Sequence, residues 1–150
     1  MQKTEVVAAE TKGRKQQRGI TAVYFFLSGI ITASWSSRIP DVQQKLGLND
    51  AAWGSVLFLL PVGLVAGLLV SSWLVVRFGT ARIIVAAAIA SCLLLGLLGL
   101  SGAQLQLMVT LFLFGAVRTI LNLAMNTKSV EVQQLYDKPI VSTFHGLWSV

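Results

Sequence analysis

Charge is scarce in this 150-residue sequence: only 12% of its residues are Asp, Glu, Lys or Arg, about half the usual share of a soluble domain. Together with a 55% hydrophobic content, that scarcity excludes an ordinary water-soluble globular domain and places the chain among membrane proteins. Cysteine is nearly absent. Cys92 stands alone inside an apolar run, which rules out an intramolecular disulfide, a thiolate zinc site and a CxxC redox pair. The six acidic residues, Glu5, Glu10, Asp41, Asp50, Glu131 and Asp137, all fall outside the complete apolar runs, and His145 is the only histidine. No set of nucleophile, acid and base can be assembled from them, so nothing points to an enzyme. No glycine-rich loop ending in Lys-Ser or Lys-Thr is present to cradle phosphates, which disfavours ATP-driven transport by this chain. Neither a metal nor a cofactor is expected. The net charge of +6 does not indicate nucleic acid, because the basic residues sit in a tail and in short turns with no face interleaving them with aromatics.

What the sequence has in plenty is long apolar runs. A helix needs about 20 apolar residues to cross the hydrocarbon core of a bilayer, and four runs supply them: residues 19–37, 52–76, 83–101 and 107–126. A fifth begins after the turn Asp137-Lys138-Pro139 and covers residues 140–150, a length of only about 16 Å as helix. The first run is no cleaved signal, because Arg38-Ile39-Pro40 follows it in place of a small-residue cleavage site. Residues 1–18 read as a flexible polar tail. A small surface helix is expected over 37–47 with Pro40 in its first turn. Asn49 or Asp50 is placed to cap the second span, and Thr80 the third.

Orientation follows from the basic residues. Lys3, Lys12, Arg14, Lys15 and Arg18 in the tail, Arg77 and Arg82 in the second-to-third turn, and Lys128 and Lys138 after the fourth span all fall on one side. Only Arg38 and Lys45 fall on the other. The basic side faces the cytoplasm, so the N-terminus is expected there. Trp35, Trp53 and Trp73 lie near span ends, where an amphipathic ring suits the headgroup level.

Arg118 is the sharpest feature, a cation near the middle of the fourth span, where it costs about 2.5–3.5 kcal/mol on insertion scales. At 100° per residue it shares a stripe with Asn122, Met125, Asn126 and Ser129, while Phe112, Leu113, Ile120, Leu123 and Ala124 gather opposite. Arg118 either contacts a solute or braces the interior against carbonyls or a carboxylate. The first span repeats the pattern: Thr21, Tyr24, Ser28, Thr32 and Trp35 lie together, with Val23, Phe26, Ile30 and Ala33 opposite. Such a face can line a solute pathway, or its hydroxyls can bond their own helix and Trp35 can act as an interface anchor. Gly63, Gly67 and Ser71 on the second span, and Gly96 and Gly99 on the third, are read as helix-packing positions. His145 and Glu131 are the candidates for a proton relay, with helix packing as the alternative for the histidine.

The turn Ser72-Trp73-Leu74-Val75-Val76-Arg77-Phe78-Gly79-Thr80-Ala81-Arg82 resembles the loop signature G-x-L-a-D-R-x-G-R-R of the major facilitator superfamily. Leu74, Arg77 and Gly79 match, Arg82 lies one place beyond the basic pair, and Ser72 and Val76 replace the first glycine and the acidic residue. The stretches Ser37-Arg38-Ile39-Pro40-Asp41-Val42-Gln43, Ala124-Met125-Asn126 with Val130-Glu131-Val132, and Lys138-Pro139-Ile140 with 142–148 resemble the bacterial branch related to fucose permease. The resemblance implies an all-α membrane protein, the N-terminal part of a twelve-helix major facilitator fold with four complete transmembrane helices and the start of a fifth. It further implies a multi-pass transporter of the bacterial inner membrane, moving a small polar, sugar-like solute by alternating access between two six-helix halves. Its partners would be the lipid bilayer, the solute and the missing C-terminal part. Drug or metabolite efflux within the same superfamily is the second reading, and a four-helix dimeric exporter or a non-transport membrane protein the third.

Overall fold

A computed structural model describes residues 2–149, with side chains from residue 12 onward; Lys3, Glu5 and Glu10 have their side chains outside the described residues. The order is α1 (Gln2–Leu46), α2 (Asp50–Phe78), α3 (Thr80–Leu100), α4 (Gln104–Gln133) and α5 (Val141–Trp148). There is no strand among the described residues. Four of the helices, over 12–46, 50–78, 80–100 and 104–133, are long and apolar enough to cross a membrane. Three of them contain an expected apolar run, and the third expected run overruns α3 by one residue, Ser101, which is its cap.

Two expectations about α1 are corrected. Residues 12–18 are helical and not a flexible tail, and the separate surface helix expected over 37–47 is the end of α1 itself. The reason is local: Lys, Arg and Gln are good helix formers, and no proline precedes Pro40. Pro40 therefore lies inside α1.

Glycine punctuates the connections. Gly47 closes α1 with φ of 60°, and its N–H donates to the Gln44 carbonyl at 3.1 Å. Gly79, with φ of 85°, ends α2 by donating to the Val75 carbonyl and opens α3 by accepting from Ile83 N. Left-handed backbone of this kind is where glycine is favoured. Asn49 caps α2, its side chain accepting from Ala52 N at 2.9 Å, as its chemistry predicts. Thr80 does not cap α3, because the cap position belongs to Gly79 and Thr80 is already the first helical residue.

The chain divides into two compact units, Met1–Ile30 with Met125–Val150, and Ile31–Ala124. The core of the second unit gathers Ile31, Trp35 and Val42 of α1, Trp53 and Val56 of α2, Leu98 of α3, and Leu107, Leu111 and Phe114 of α4. Trp35 and Trp53 are 4% and 7% exposed, so they are core residues rather than anchors at the bilayer surface. Only Trp73 of the three keeps an exposed ring. In the same unit α2 meets α4 at backbone distance. A Cβ on Gly63 would run into the Phe112 carbonyl, one on Gly67 into the Ala116 carbonyl, and one on Gly115 into the Leu60 carbonyl. Gly96 and Gly99 of α3 differ: nothing lies near a Cβ at either. They border an open cleft of about 710 Å³ beside Ser34, Ser37 and Arg38 of α1, so the expectation of helix packing fails there.

Hydroxyls inside this unit turn back on their own helices. Ser71 donates to the Leu68 carbonyl, Ser91 to Ala87, Ser101 to Leu97 and Thr110 to Gln106, at 2.8–2.9 Å. That satisfies the hydroxyl where no water is available.

The first unit is organised by α5. Phe144, fully buried, stacks on Phe25 at 5.6 Å between ring centroids, and a Cβ on Gly29 would collide with the Trp148 carbonyl. Gln133 closes the turn between α4 and α5. Its Oε1 accepts from Ile140 N at 2.6 Å, and its Nε2 donates to the carbonyls of Lys138 at 3.0 Å and Tyr136 at 3.3 Å.

Candidate functional site

The site begins with the seam that α4 buries. Leu107, Leu111, Phe114, Arg118, Leu121, Met125, Ser129 and Val132 are all buried, a spacing of three and four that marks one helix face. A run of apolar side chains along that face is interrupted by a single guanidinium. Arg118 is 6% exposed, and its Nη2 donates to Thr32 Oγ1 of α1 at 2.7 Å. The sequence has no Asp or Glu between residues 51 and 130, nor between 11 and 40. Within these segments the arginine is therefore met by a neutral hydroxyl, and none of their side chains supplies a carboxylate to cancel its charge. A buried guanidinium suits an anion or a neutral hydrogen-bond acceptor, since it presents five N–H groups in a planar fork.

α1 contributes an aromatic wall next to this pair. One turn beyond Thr32, Trp35 faces Phe114 of α4 at 6.4 Å between centroids. Both rings are buried. Thr119 ties the other side of α4 to α2, its hydroxyl donating to the Leu64 carbonyl at 2.9 Å. With the glycine contacts at 63, 67 and 115, this leaves α4 little freedom to rotate about its axis and so fixes the direction of Arg118.

The remaining predicted residues separate. On α1, Ser28 is buried and Tyr24 half-buried, while Val23, Phe26 and Ile30 are exposed, so the polar stripe does point inward. Thr21 is buried, but its hydroxyl donates to the Gln17 carbonyl of the same helix. On α4, Asn122 is half-buried and Asn126 exposed, whereas Ala124, expected on the outer face, is fully buried. The buried seam runs at 118, 121 and 125, and the two asparagines flank it on one side.

Glu131 is exposed and pairs with Lys128 at 3.0 Å. His145 is exposed, with its ring edge-on to Phe25 at 5.3 Å. Of the signature residues Leu74 is half-buried and Arg77, Gly79 and Arg82 are exposed, while Gly63, Gly67 and Ser71 are buried. Tyr24, Ser28, Asn126, Glu131 and His145 belong to the first unit, and Thr32, Trp35, Arg118 and Asn122 to the second. Among the described residues there is no group of three or more His, Cys, Asp or Glu that could hold a metal ion. Sequence periodicity misses Phe114, Gly115 and Gln133. Only the glycine carries a signal, as a small residue in an otherwise bulky span.

Comparison with known proteins gives the setting. The chain is 32% identical over 134 residues to an uncharacterized MFS-type transporter of Yersinia pestis, covering 89% of the chain and 35% of that protein. It is 32% identical over 133 residues to the uncharacterized transporter y4wD of Sinorhizobium fredii, again 89% of the chain and 35% of the relative. The membrane protein MosC of Rhizobium meliloti is 24% identical over 134 residues, 89% of the chain and 33% of that protein. No protein-family model matches the chain, and no solved structure does. The chain spans about a third of the length of these curated relatives. It is thus an all-helical, multi-pass membrane protein, similar over most of its length to one part of MFS-type transporters.

Proposed function

We propose that the chain is the N-terminal part of a major facilitator secondary transporter, and that Arg118 with Thr32 forms part of its solute path. The observation that carries this reading is a single arginine, buried at mid-span and hydrogen-bonded to a hydroxyl of the facing helix. Intramembrane charges of this kind mark substrate or ion pathways. The similarity to MFS-type transporters supplies the class of machine, in which two helical halves alternate access to a central site.

The solute is a small polar organic molecule. Thr32 offers a hydroxyl that suits a sugar or polyol, and Arg118 adds a fork for a carboxylate or a ring oxygen. Reconstituted full-length protein should show saturable flux of such a solute, and Arg118→Leu should abolish it without loss of membrane insertion, because removing the charge eases partitioning. Unchanged flux by that variant sinks the assignment of Arg118 to the path. Loss of folded protein instead assigns it to bracing the helices.

A further inference from the structure

We propose that the first unit holds a binding pocket for a phosphoester anion, formed where α1 meets the turn between α4 and α5. The pocket has a volume of about 470 Å³ and is lined by Arg14, Arg18, Tyr136, Asp137, Lys138 and Thr143, among others. Three cations against one carboxylate leave it net positive. This reading does not depend on transport, since it rests on residues that the solute path does not use.

Each wall of the pocket is positioned by a separate contact. Arg14 and Arg18 stand one helical turn apart on α1, so they share a face. Nη1 of Arg14 donates to the Leu135 carbonyl at 3.3 Å, which spends one of five donors. The Arg18 guanidinium lies over the Tyr136 ring, 5.8 Å from its centroid, a stacking that leaves the N–H edge available. The Lys138 backbone is held by Gln133 through its carbonyl, and Thr143 lies in the first turn of α5. The Tyr136 ring forms a wall of the pocket, while its hydroxyl is buried away from it and has no hydrogen-bond partner among the described residues. A buried hydroxyl without a partner is costly, and such groups are rare in native proteins.

The level of the pocket fits a headgroup. The apolar run of α1 starts at Gly19-Ile20, directly after Arg18, and the apolar start of α5 follows Pro139, so the cations fall where hydrocarbon gives way to water. Basic pockets between helices at that depth bind anionic lipid headgroups. A soluble phosphoester carries the same chemistry, and the two sources are separable.

The test uses the protein in nanodiscs of phosphatidylcholine containing a minor fraction of phosphatidylglycerol, with retained lipid read by native mass spectrometry. Phosphatidylglycerol should be retained over phosphatidylcholine, and Arg14→Gln with Arg18→Gln should cut that preference by about 25-fold, from about fivefold per arginine. Lys138→Gln, which disturbs no helix interior, provides a second reading if the double variant does not fold. Arg77→Gln, on a different turn, should change nothing. If inorganic phosphate alone binds in pure phosphatidylcholine discs and is lost in the same variants, the occupant is a soluble phosphoester. Equal lipid retention and equal phosphate binding by the wild type, the double variant and Lys138→Gln would overturn the proposal.

Discussion

Gly63 of α2 lies against the backbone of Phe112 in α4 so closely that a single methyl group on it would take the place of the Phe112 carbonyl oxygen. Gly67 and Ala116 repeat the contact one turn on, and Gly115 returns it from α4 toward Leu60. Between lipid-immersed helices, where burial from water supplies no driving force, close backbone approach of this sort is the main source of attraction.

Gly63→Ala and Gly67→Ala should therefore each destabilise the protein by about 1–3 kcal/mol, the usual cost of forcing a methylene into a packed interior. Gly96→Ala and Gly99→Ala, which face open space, should be neutral or slightly stabilising, since alanine is the better helix former. Thermal unfolding in detergent, followed by circular dichroism, distinguishes the two pairs. Equal losses at all four positions would contradict the assigned interface.

Thr32 tests the arginine from the other side. Thr32→Ser keeps the oxygen that accepts from Arg118 and should retain most stability and transport. Thr32→Val removes it at nearly constant volume, and should cost about 1–3 kcal/mol for the donor left behind. Transport by the full-length protein should fall with it. If valine and serine behave alike in both assays, the hydrogen bond is incidental.

Gln133 is expected to govern the seating of α5, because one side chain closes the connection through three hydrogen bonds, to Ile140, Lys138 and Tyr136. Gln133→Leu should expose the backbone over 134–143 to faster hydrogen exchange, with a local cost of about 1–3 kcal/mol for the unpaired groups. Gln133→Glu, which keeps the acceptor for Ile140 N and loses both donors, should fall between. Exchange that does not change in the leucine variant would show that the stacking of Phe144 on Phe25 suffices by itself.

Orientation rests on the distribution of charge, with nine basic residues assigned to one side and Arg38 and Lys45 to the other. A reporter enzyme active only in the cytoplasm should be active when fused after Arg77 and inactive when fused after Gly47. The reverse pattern would invert every span.

The helices are legible in the sequence because an uninterrupted apolar run of about 20 residues matches the thickness of a bilayer and exceeds what most soluble cores demand. The inward face of α1 is legible from its period alone. The same period misplaces parts of α4. A free helix repeats every 3.6 residues, whereas the buried seam of α4 follows 111, 114, 118, 121 and 125, close to the 3.5 spacing of helices packed along their length. Asn126 drifts outward as a result, and Ala124 is buried.

Trp35 and Trp53 depart from expectation on different grounds. Their nearness to a polar turn suggests the bilayer surface, but α1 continues to Leu46 and its end, like the start of α2, carries the core of the second unit. Periodicity says which face is buried and nothing about which neighbour covers it. The pairings of Gly63 with Phe112, of Phe25 with Phe144 and of Arg118 with Thr32 therefore stay hidden until the fold brings them together.

The serines and threonines that bond back to their own helices have a mechanical consequence. Ser71, Ser91, Ser101 and Thr110 carry their acceptors with them, so sliding one of these helices past its neighbour breaks none of those bonds. The polar ties that do cross between helices in the second unit include Arg118 with Thr32, Thr119 with Leu64 and, at the last turn of α3, Lys45 with Gly99. Through its middle, α3 is thus a smooth-sided rod held to its neighbours by dispersion contacts among the described residues, anchored only at its ends by Gly79 and Lys45, while polar ties cross between α1, α2 and α4 like the members of a truss.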